Sequence, residues 1–231
     1  MIQLQNINQH YGGTQILWDL NLDIEAGSCT CIMGRNGVGK TTLLKALMGL
    51  LPLSSGAILL DGEQIQKRPA EDRAPLGIAY VPQGRHIFPL LTVEENLRTG
   101  LAIRKDRAKH IPEKIYQLFP VLKDMKNRLG GDLSGGQQQQ LAIGRALVID
   151  PRVLILDEPN EGIQPNIVQQ IGDVIVKLNR EENLTVILVE QKLGFARRVG
   201  EEFRLMERGR VVASDKMANL NDDLIKQHLA V

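Results

Sequence analysis

An α/β fold is what the sequence predicts. It has a core with a mostly parallel sheet, an antiparallel β layer at the N-terminus, and a helical unit inserted in the middle. Three observations carry the prediction. "VLILDEP" and "LTVILVEQ" are unbroken apolar runs, the pattern of strands buried on both faces of a parallel sheet. The first sixty or so residues instead mix alternating runs, the pattern of half-buried strands, with one strand–loop–helix unit. Between 92 and 145, helix starts and helical spacing replace the strand–helix alternation on either side. The chain reads as a single unit, 1–231, with the helical subdomain 92–145 inserted in it.

Taken in order, "IQLQNIN" and "ILWDLNLDIEAG" alternate as strands, the second ending at a glycine turn. "SCTCIM" is a short buried strand leading straight into "GRNGVGKTTLLKALMGLL", a glycine loop and a helix. "GAILLDGEQI" reads as a hairpin turning at Asp-Gly. "LGIAYVPQ" is a buried strand stopped by Pro82. "LTVEENLRTGLAIR" opens a helix with Thr92 as N-cap and Glu95 three residues on. "PEKIYQLFPVL" reads as one helix with Pro112 in its first turn, and "LSGGQQQQLAI" as a polar turn opening another. After "VLILDEP" a helix runs from about Pro165 to Arg180. "LTVILVEQ" is followed by a closing hairpin, "EEFRLMERGRVVAS", and a short terminal helix, "NDDLIKQHL".

Composition narrows the function. Hydrophobic residues make up 43% of the 231 and charged residues 24%, as in ordinary globular proteins. A net charge of +1 gives no global field towards DNA or an anionic membrane, and 3% aromatics make a poor base-stacking platform, so no nucleic-acid partner is expected. No apolar run reaches the roughly 18 residues of a membrane span, and the N-terminus does not read as a signal peptide. Cys29 and Cys31, two apart in a strand, are expected as neighbours on one core face rather than zinc ligands. His10, His86, His110 and His228 are scattered.

The chemistry is carried by motifs. "GRNGVGKTT" fits the G-x-x-x-x-G-K-[ST] phosphate loop with Gly34, Gly39, Lys40 and Thr41, and it sits between a strand and a helix, as that loop must. Its backbone N–H groups, with Asn36, Gly37 and Thr42, would cradle phosphate. Lys40 would meet the β- and γ-phosphates, and the Thr41 hydroxyl would ligate Mg²⁺. "VLILDEP" places Asp157 and Glu158 at the carboxyl end of a buried strand, where parallel sheets bind ligands. Adjacent residues face opposite ways, so Asp157 is assigned to Mg²⁺ and Glu158 to the attacking water. Gln83, where its strand breaks into a loop, can reach Mg²⁺-bound water and the γ-phosphate. Tyr11 is either an adenine-stacking aromatic or a strand-end surface residue. "LSGGQ" makes a second anion-attracting helix start, far in sequence from the first. A phosphate brought by another subunit would account for it, bound by the Ser134 hydroxyl and the N–H groups of Gly135 and Gly136, with Gln137 beside them.

In this order and spacing, the phosphate loop, Gln83, "LSGGQ" and "VLILDEP" resemble an ABC-type ATPase subunit over essentially the whole chain. "VPQGRHIFPLLTVEENL" and "VEQ" resemble the branched-chain amino-acid and amide importer group. "LSGGQQQQLAI" with "EGIQPNIV" is most similar to an ATPase of urea-type importers. The resemblance implies an ABC-type nucleotide-binding domain that hydrolyses ATP with Mg²⁺ and works as a head-to-tail dimer with a second ATPase chain, related or identical. It further implies two membrane permeases docking near Gln83–Asn96, an external solute-binding protein, and peripheral attachment to the cytoplasmic face of the inner membrane. Two positions depart from the wider pattern: Gln164 stands where an aspartate reaches across the dimer, and Gln191 stands at the switch histidine, where it remains a catalytic candidate. Asn160 also departs, from the usual Thr or Ser. Rival readings are a regulatory subunit that binds ATP without splitting it, an ABC-type ATPase acting on nucleic acid or ribosomes, and a GTPase. The third lacks an N-K-x-D-like motif, and the second lacks basic or coiled-coil extensions.

Overall fold

The computed structural model describes residues 1–104 and 106–229; Lys105, Ala230 and Val231, which fall within the expected unit ranges, lie outside them. Two sheets form. The first is antiparallel: β1 (Ile2–Tyr11), β2 (Thr14–Ile24), β4 (Ser55–Leu60) and β5 (Glu63–Gln64) stand in the order β2-β1-β4-β5. The β4–β5 turn is the expected one, with Asp61 and Gly62 both at positive φ. In the second sheet β3 (Cys29–Met33), β6 (Ile78–Val81), β7 (Val153–Asp157), β8 (Thr185–Val189), β9 (Glu202–Glu207) and β10 (Arg210–Lys216) take the order β10-β9-β3-β8-β7-β6. All neighbours in it are parallel except the closing β9–β10 hairpin.

The central strands β3, β7 and β8 of the second sheet are buried on both sides, which is why they lack alternation. Side chains at i and i+2 share a face. Val153 and Ile155 of β7 and Ile187 and Val189 of β8 therefore join the core under the antiparallel sheet, together with Leu43, Leu44 and Leu47 of α1 (Lys40–Leu47). Leu154, Leu156, Val186 and Leu188 face the other way, into a core shared with helices. Cys29 and Cys31 lie in that second core as free thiols, as their spacing predicts.

Those helices are α2 (Val93–Arg98), α3 (Glu113–Leu118), α4 (Pro120–Asp124), α5 (Gly135–Val148), α6 (Pro165–Glu182) and α7 (Leu193–Val199). α8 (Asp222–His228) closes the described chain. Thr92 caps α2 in a full capping box with Glu95. "PEKIYQLFPVL" is not one helix: Pro120 cannot donate a helical hydrogen bond, so the chain stops at Phe119 and restarts as α4. α7 went unread in the sequence because seven residues carry too short a period to stand out beside the switch motif.

Candidate active site

The carboxyl ends of β3, β7 and β8 and the start of α1 surround a cavity of about 790 Å³. It is lined by Ile16, Asn36, Gly37, Gly39, Lys40, Thr41, Thr42, Gln83, Glu158, Glu161, Glu190, Gln191 and Lys192. The loop before α1 depends on two glycines. Gly39, the residue before the helix, sits at φ +107, and a Cβ on Gly34 would lie 2.5 Å from the Met206 carbonyl oxygen. Lys40 is buried, and its Nζ donates to the carbonyls of Gly34 (2.8 Å) and Arg35 (2.9 Å). Burial pulls its amine below the ordinary lysine range, while Glu158 and Asp157 oppose the shift. The cation is thus held inside the phosphate loop with both carboxylates close.

Asp157 and Glu158 separate as strand geometry requires. Asp157 follows Val153 and Ile155 on the α1 face, 1% exposed, within hydrogen-bond reach of the Thr41 side chain and taking a long bond (3.4 Å) from the Tyr80 hydroxyl. Burial raises its carboxyl, countered by Thr41. Its Oδ1 is buried with no partner. A buried carboxylate oxygen so placed, beside a threonine hydroxyl, fits a hard cation that takes oxygen ligands. Glu158 instead breaks from the strand at φ 48, a left-handed conformation that turns its side chain into the cavity. There its Oε1 accepts from Gln191 Nε2, and its Oε2 lies 3.5 Å from Gln83 Nε2.

Gln191 also donates to Asn36 Oδ1 at 2.7 Å, so one amide spans the phosphate loop and the Glu158 carboxylate. Gln83 donates to Glu161 at 3.0 Å. Beneath this rim Glu190 is 3% exposed. Its Oε1 accepts from the backbone N–H groups of Gln191 and Lys192, both at 2.8 Å, and its Oε2 from Asn160 Nδ2 at 2.7 Å. Burial raises its carboxyl against these donors. Asn160, without a sequence rationale, thus serves the buried carboxylate that shapes the Gln191 turn.

Other sequence candidates lie elsewhere. Tyr11 is exposed at the end of β1 and is not among the cavity's lining residues; Ile16 of β2 is. Ser134, Gly135, Gly136 and Gln137 also lie outside the cavity, at the start of α5. There Ser134 Oγ accepts from Gln137 N–H while Gln137 Oε1 accepts from Ser134 N–H, a capping box built from the first glutamine of the run. Sequence reasoning missed Ile16, Glu161, Glu190 and Lys192, which a contiguous motif does not mark. It also missed Asn96, buried within α2, whose Nδ2 donates to the carbonyls of Phe88, Leu91 and Thr92 and whose Oδ1 accepts from Phe88 N–H. That side chain fixes the 88–92 loop. On the loop, Leu90 is 84% and Phe88 48% exposed, whereas Ile87 packs against the helical core. Beside Phe88 opens an apolar groove of about 450 Å³, lined among others by Leu50, Ala74, Ile103, Arg145 and Ile149, with Arg145 stacked 5.0 Å from the Phe88 ring centre. Among the described residues no helix is long and apolar enough to cross a membrane, and no His/Cys/Asp/Glu group forms a metal cluster.

A family model described as ABC transporter matches residues 17–161. A high-affinity branched-chain amino acid transport ATP-binding protein of Pseudomonas aeruginosa is 40% identical over 221 residues, 95% of this chain and 94% of that protein. A probable branched-chain amino acid transport ATP-binding protein of Archaeoglobus fulgidus is 39% identical over 212 residues, 91% of this chain and 90% of that one. Among solved structures, a dimeric bacterial ABC transporter cassette superposes with a TM-score of 0.84 at 28% identity, covering 94% of this chain and 99% of that one.

Proposed function

The chain belongs to the ABC transporter family as an ATPase subunit coupled to transport, and from that premise we propose how its residues divide the work. One observation carries the reading. The cavity unites the Lys40 loop, Glu158 and Gln191, while the Ser134–Gln137 helix start lies outside it. ATP enters with its phosphates along the loop of Gly34–Thr42, drawn by backbone N–H groups and Lys40. Thr41, Asp157 and Gln83 would hold Mg²⁺, which would supply charge neutralisation for the phosphates. Glu158 accepts the proton of the attacking water, and Gln191 orients that water with its carbonyl and donates its amide to the γ-phosphate. Tyr11 borders the adenine end. Ser134, Gly135, Gly136 and Gln137 of a second ATPase chain, related or a second copy, complete the site in a head-to-tail dimer. ATP then acts as glue that hydrolysis removes.

The subunit sits at the cytoplasmic face of the membrane, and two permeases dock over the loop Gln83–Asn96 and its groove. The exposure of Phe88 and Leu90 supports that surface. For the solute, "LSGGQQQQLAI" with "EGIQPNIV" favours urea or a short amide, and the names of the relatives favour a branched-chain amino acid. A pull-down of the intact complex, followed by a solute-binding assay of its receptor, separates the two.

The catalytic division is tested with Glu158→Gln. The amide cannot take the proton, so ATP binding is retained while hydrolysis at this site stalls. Mixed with its partner subunit, the variant is expected to elute from size exclusion as an ATP-bound dimer. A variant that stays monomeric and hydrolyses normally overturns both the base and the dimer.

A further inference from the structure

We infer that Arg85 is a positioning residue that ties this chain's own nucleotide cavity to the Ser134–Gln137 turn it lends to its partner. The inference deepens the proposed head-to-tail dimer and rests on it. The Arg85 guanidinium forks. Nη1 donates to Gln138 Oε1 in the first turn of α5, and Nη2 to the Glu161 carbonyl in the loop after β7, each at 3.2 Å. The side chain of Glu161 in turn accepts from Gln83 inside the cavity at 3.0 Å. A continuous path therefore runs from Gln83 through Glu161 and Arg85 to the helix that carries Ser134.

The fit around the guanidinium is close. A Cβ on Gly135 would meet Arg85 Nη1 at 3.0 Å and Nη2 at 3.1 Å, so the guanidinium lies close against the glycine backbone of the turn. Gln138 is held from its other end too, its Nε2 donating to the Gly130 carbonyl at 3.3 Å. The segment presenting Arg85 is itself constrained: Gly84, Arg85 and His86 stand at φ 82, 70 and 48. Three consecutive left-handed residues, two of them not glycine, persist only where tethers hold them. Arg85 supplies two, and Arg145 of α5 a third by donating to the His86 carbonyl at 2.7 Å.

A planar fork reaching two acceptors on different elements suits arginine and not lysine, whose single ammonium is a point charge. When nucleotide draws Gln83 and the loop of Glu161 towards the γ-phosphate, the α5 start moves with them. The geometry with which Ser134 and Gly136 meet the partner's phosphate then depends on what this chain has bound. Misplacing such donors by about 1 Å is enough to slow a reaction by one to two orders of magnitude.

The test uses the assembled dimer and single-turnover hydrolysis of bound ATP. With Glu158→Gln in this chain, the hydrolysis observed reports the partner's phosphate loop with this chain's Ser134 turn. On that background Arg85→Ala is expected to slow hydrolysis about tenfold, and Arg85→Lys to recover only a minor part. On the reciprocal background, with the partner's catalytic glutamate replaced, Arg85→Ala is expected to slow this chain's own site less than threefold. Ser134→Ala is run beside it on the first background. If Ser134→Ala slows the partner site and Arg85→Ala does not, the tether is refuted while the dimer reading stands. If Ser134→Ala has no effect, the across-dimer reading fails and the inference falls with it. Equal losses on both backgrounds, or full rescue by lysine, would show a general structural or purely electrostatic role and overturn the proposal.

Discussion

Gln191 bonds Asn36 on one side and Glu158 on the other, so its amide joins the two groups between which the proposed reading places the γ-phosphate. Histidine at the same place can carry a positive charge; glutamine cannot, and stabilises developing negative charge less. Loss of a main transition-state donor costs on the order of a hundredfold. On the proposed division of work Lys40 and Glu158 share the load, so Gln191→Ala is expected to slow hydrolysis about tenfold. ATP affinity should be nearly unchanged, because the contact tightens mainly in the transition state. Gln191→His is expected to keep or raise the rate and to add a titration near the histidine value of about 6.5. Single-turnover hydrolysis with the partner's catalytic glutamate disabled isolates this site. A wild-type rate for the alanine variant would make Gln191 a bystander. At this scale the sequence was most informative where chemistry is contiguous. That the Gly34–Thr42 loop, Asp157 and Glu158 gather at the carboxyl ends of β3 and β7 was readable because each motif is a run of neighbours. Glu161 and Ile16 were not, because only folding brings them beside Lys40.

The ends of β7 and β8 are adjacent, and the loops leaving them are joined by Asn160 and Glu190. A strand pattern foretells such adjacency, since both runs are continuously apolar and belong inside one sheet. It does not foretell which side chains of the two following loops will meet, which is why Asn160 looked like an unexplained departure. The helical segments were legible at their starts: Thr92 with Glu95 reads as a cap and "LSGGQQQQLAI" as a polar turn opening a helix, although the box that Ser134 and Gln137 close appears only in the structure. The break at Phe119–Pro120 was missed because helical spacing carries on through it. The Asn160–Glu190 bond has a measurable consequence. A hydrogen bond to a buried charge contributes about 1.5–3 kcal/mol, and in a chain of this size about 1 kcal/mol moves Tm by roughly 2–4 °C. Asn160→Ala is therefore expected to lower Tm by about 3–12 °C near neutral pH. Burial already raises the folded Glu190 carboxyl, so ionised Glu190 opposes folding as pH rises through its folded value, and the lost donor raises that value further. The deficit relative to wild type should thus be larger at pH 8 than at pH 5, where the protonated acid needs the donor less. Thermal melts at the two pH values check this, and a deficit that grows towards acid would contradict it.

Across the whole molecule, the hydrolysis proposed at the sheet's carboxyl edge would have to be felt at a surface away from the cavity. Gln83 leaves β6 at the cavity, and within five residues the same chain reaches Phe88 at the apolar groove. Asn96 fixes that loop from inside α2, and Arg145 of α5 stacks on Phe88. The segment is therefore tethered at its base and apolar at its tip, as the proposed link between the cavity and a docked permease helix requires. Ile87 turns inward, so part of the apolar run is core, but Leu90 at 84% exposed and Phe88 at 48% are not. Placing a carboxylate at Phe88 would leave the folded subunit intact, because the ring is half in solvent and Arg145 lies beside it, while putting a charge on the apolar surface proposed to receive a permease helix. Phe88→Asp is expected to leave the melting temperature of the isolated subunit within about 3 °C of wild type, since a half-exposed side chain contributes on the order of 1 kcal/mol. In the reconstituted complex it is expected to uncouple the machine: ATP turnover persists while solute uptake falls at least tenfold. Paired assays of ATPase and uptake on the same proteoliposomes decide the matter. Uptake that survives with an unchanged ratio of ATP to solute would place the docking surface elsewhere and leave Phe88 as a partner for Arg145 alone.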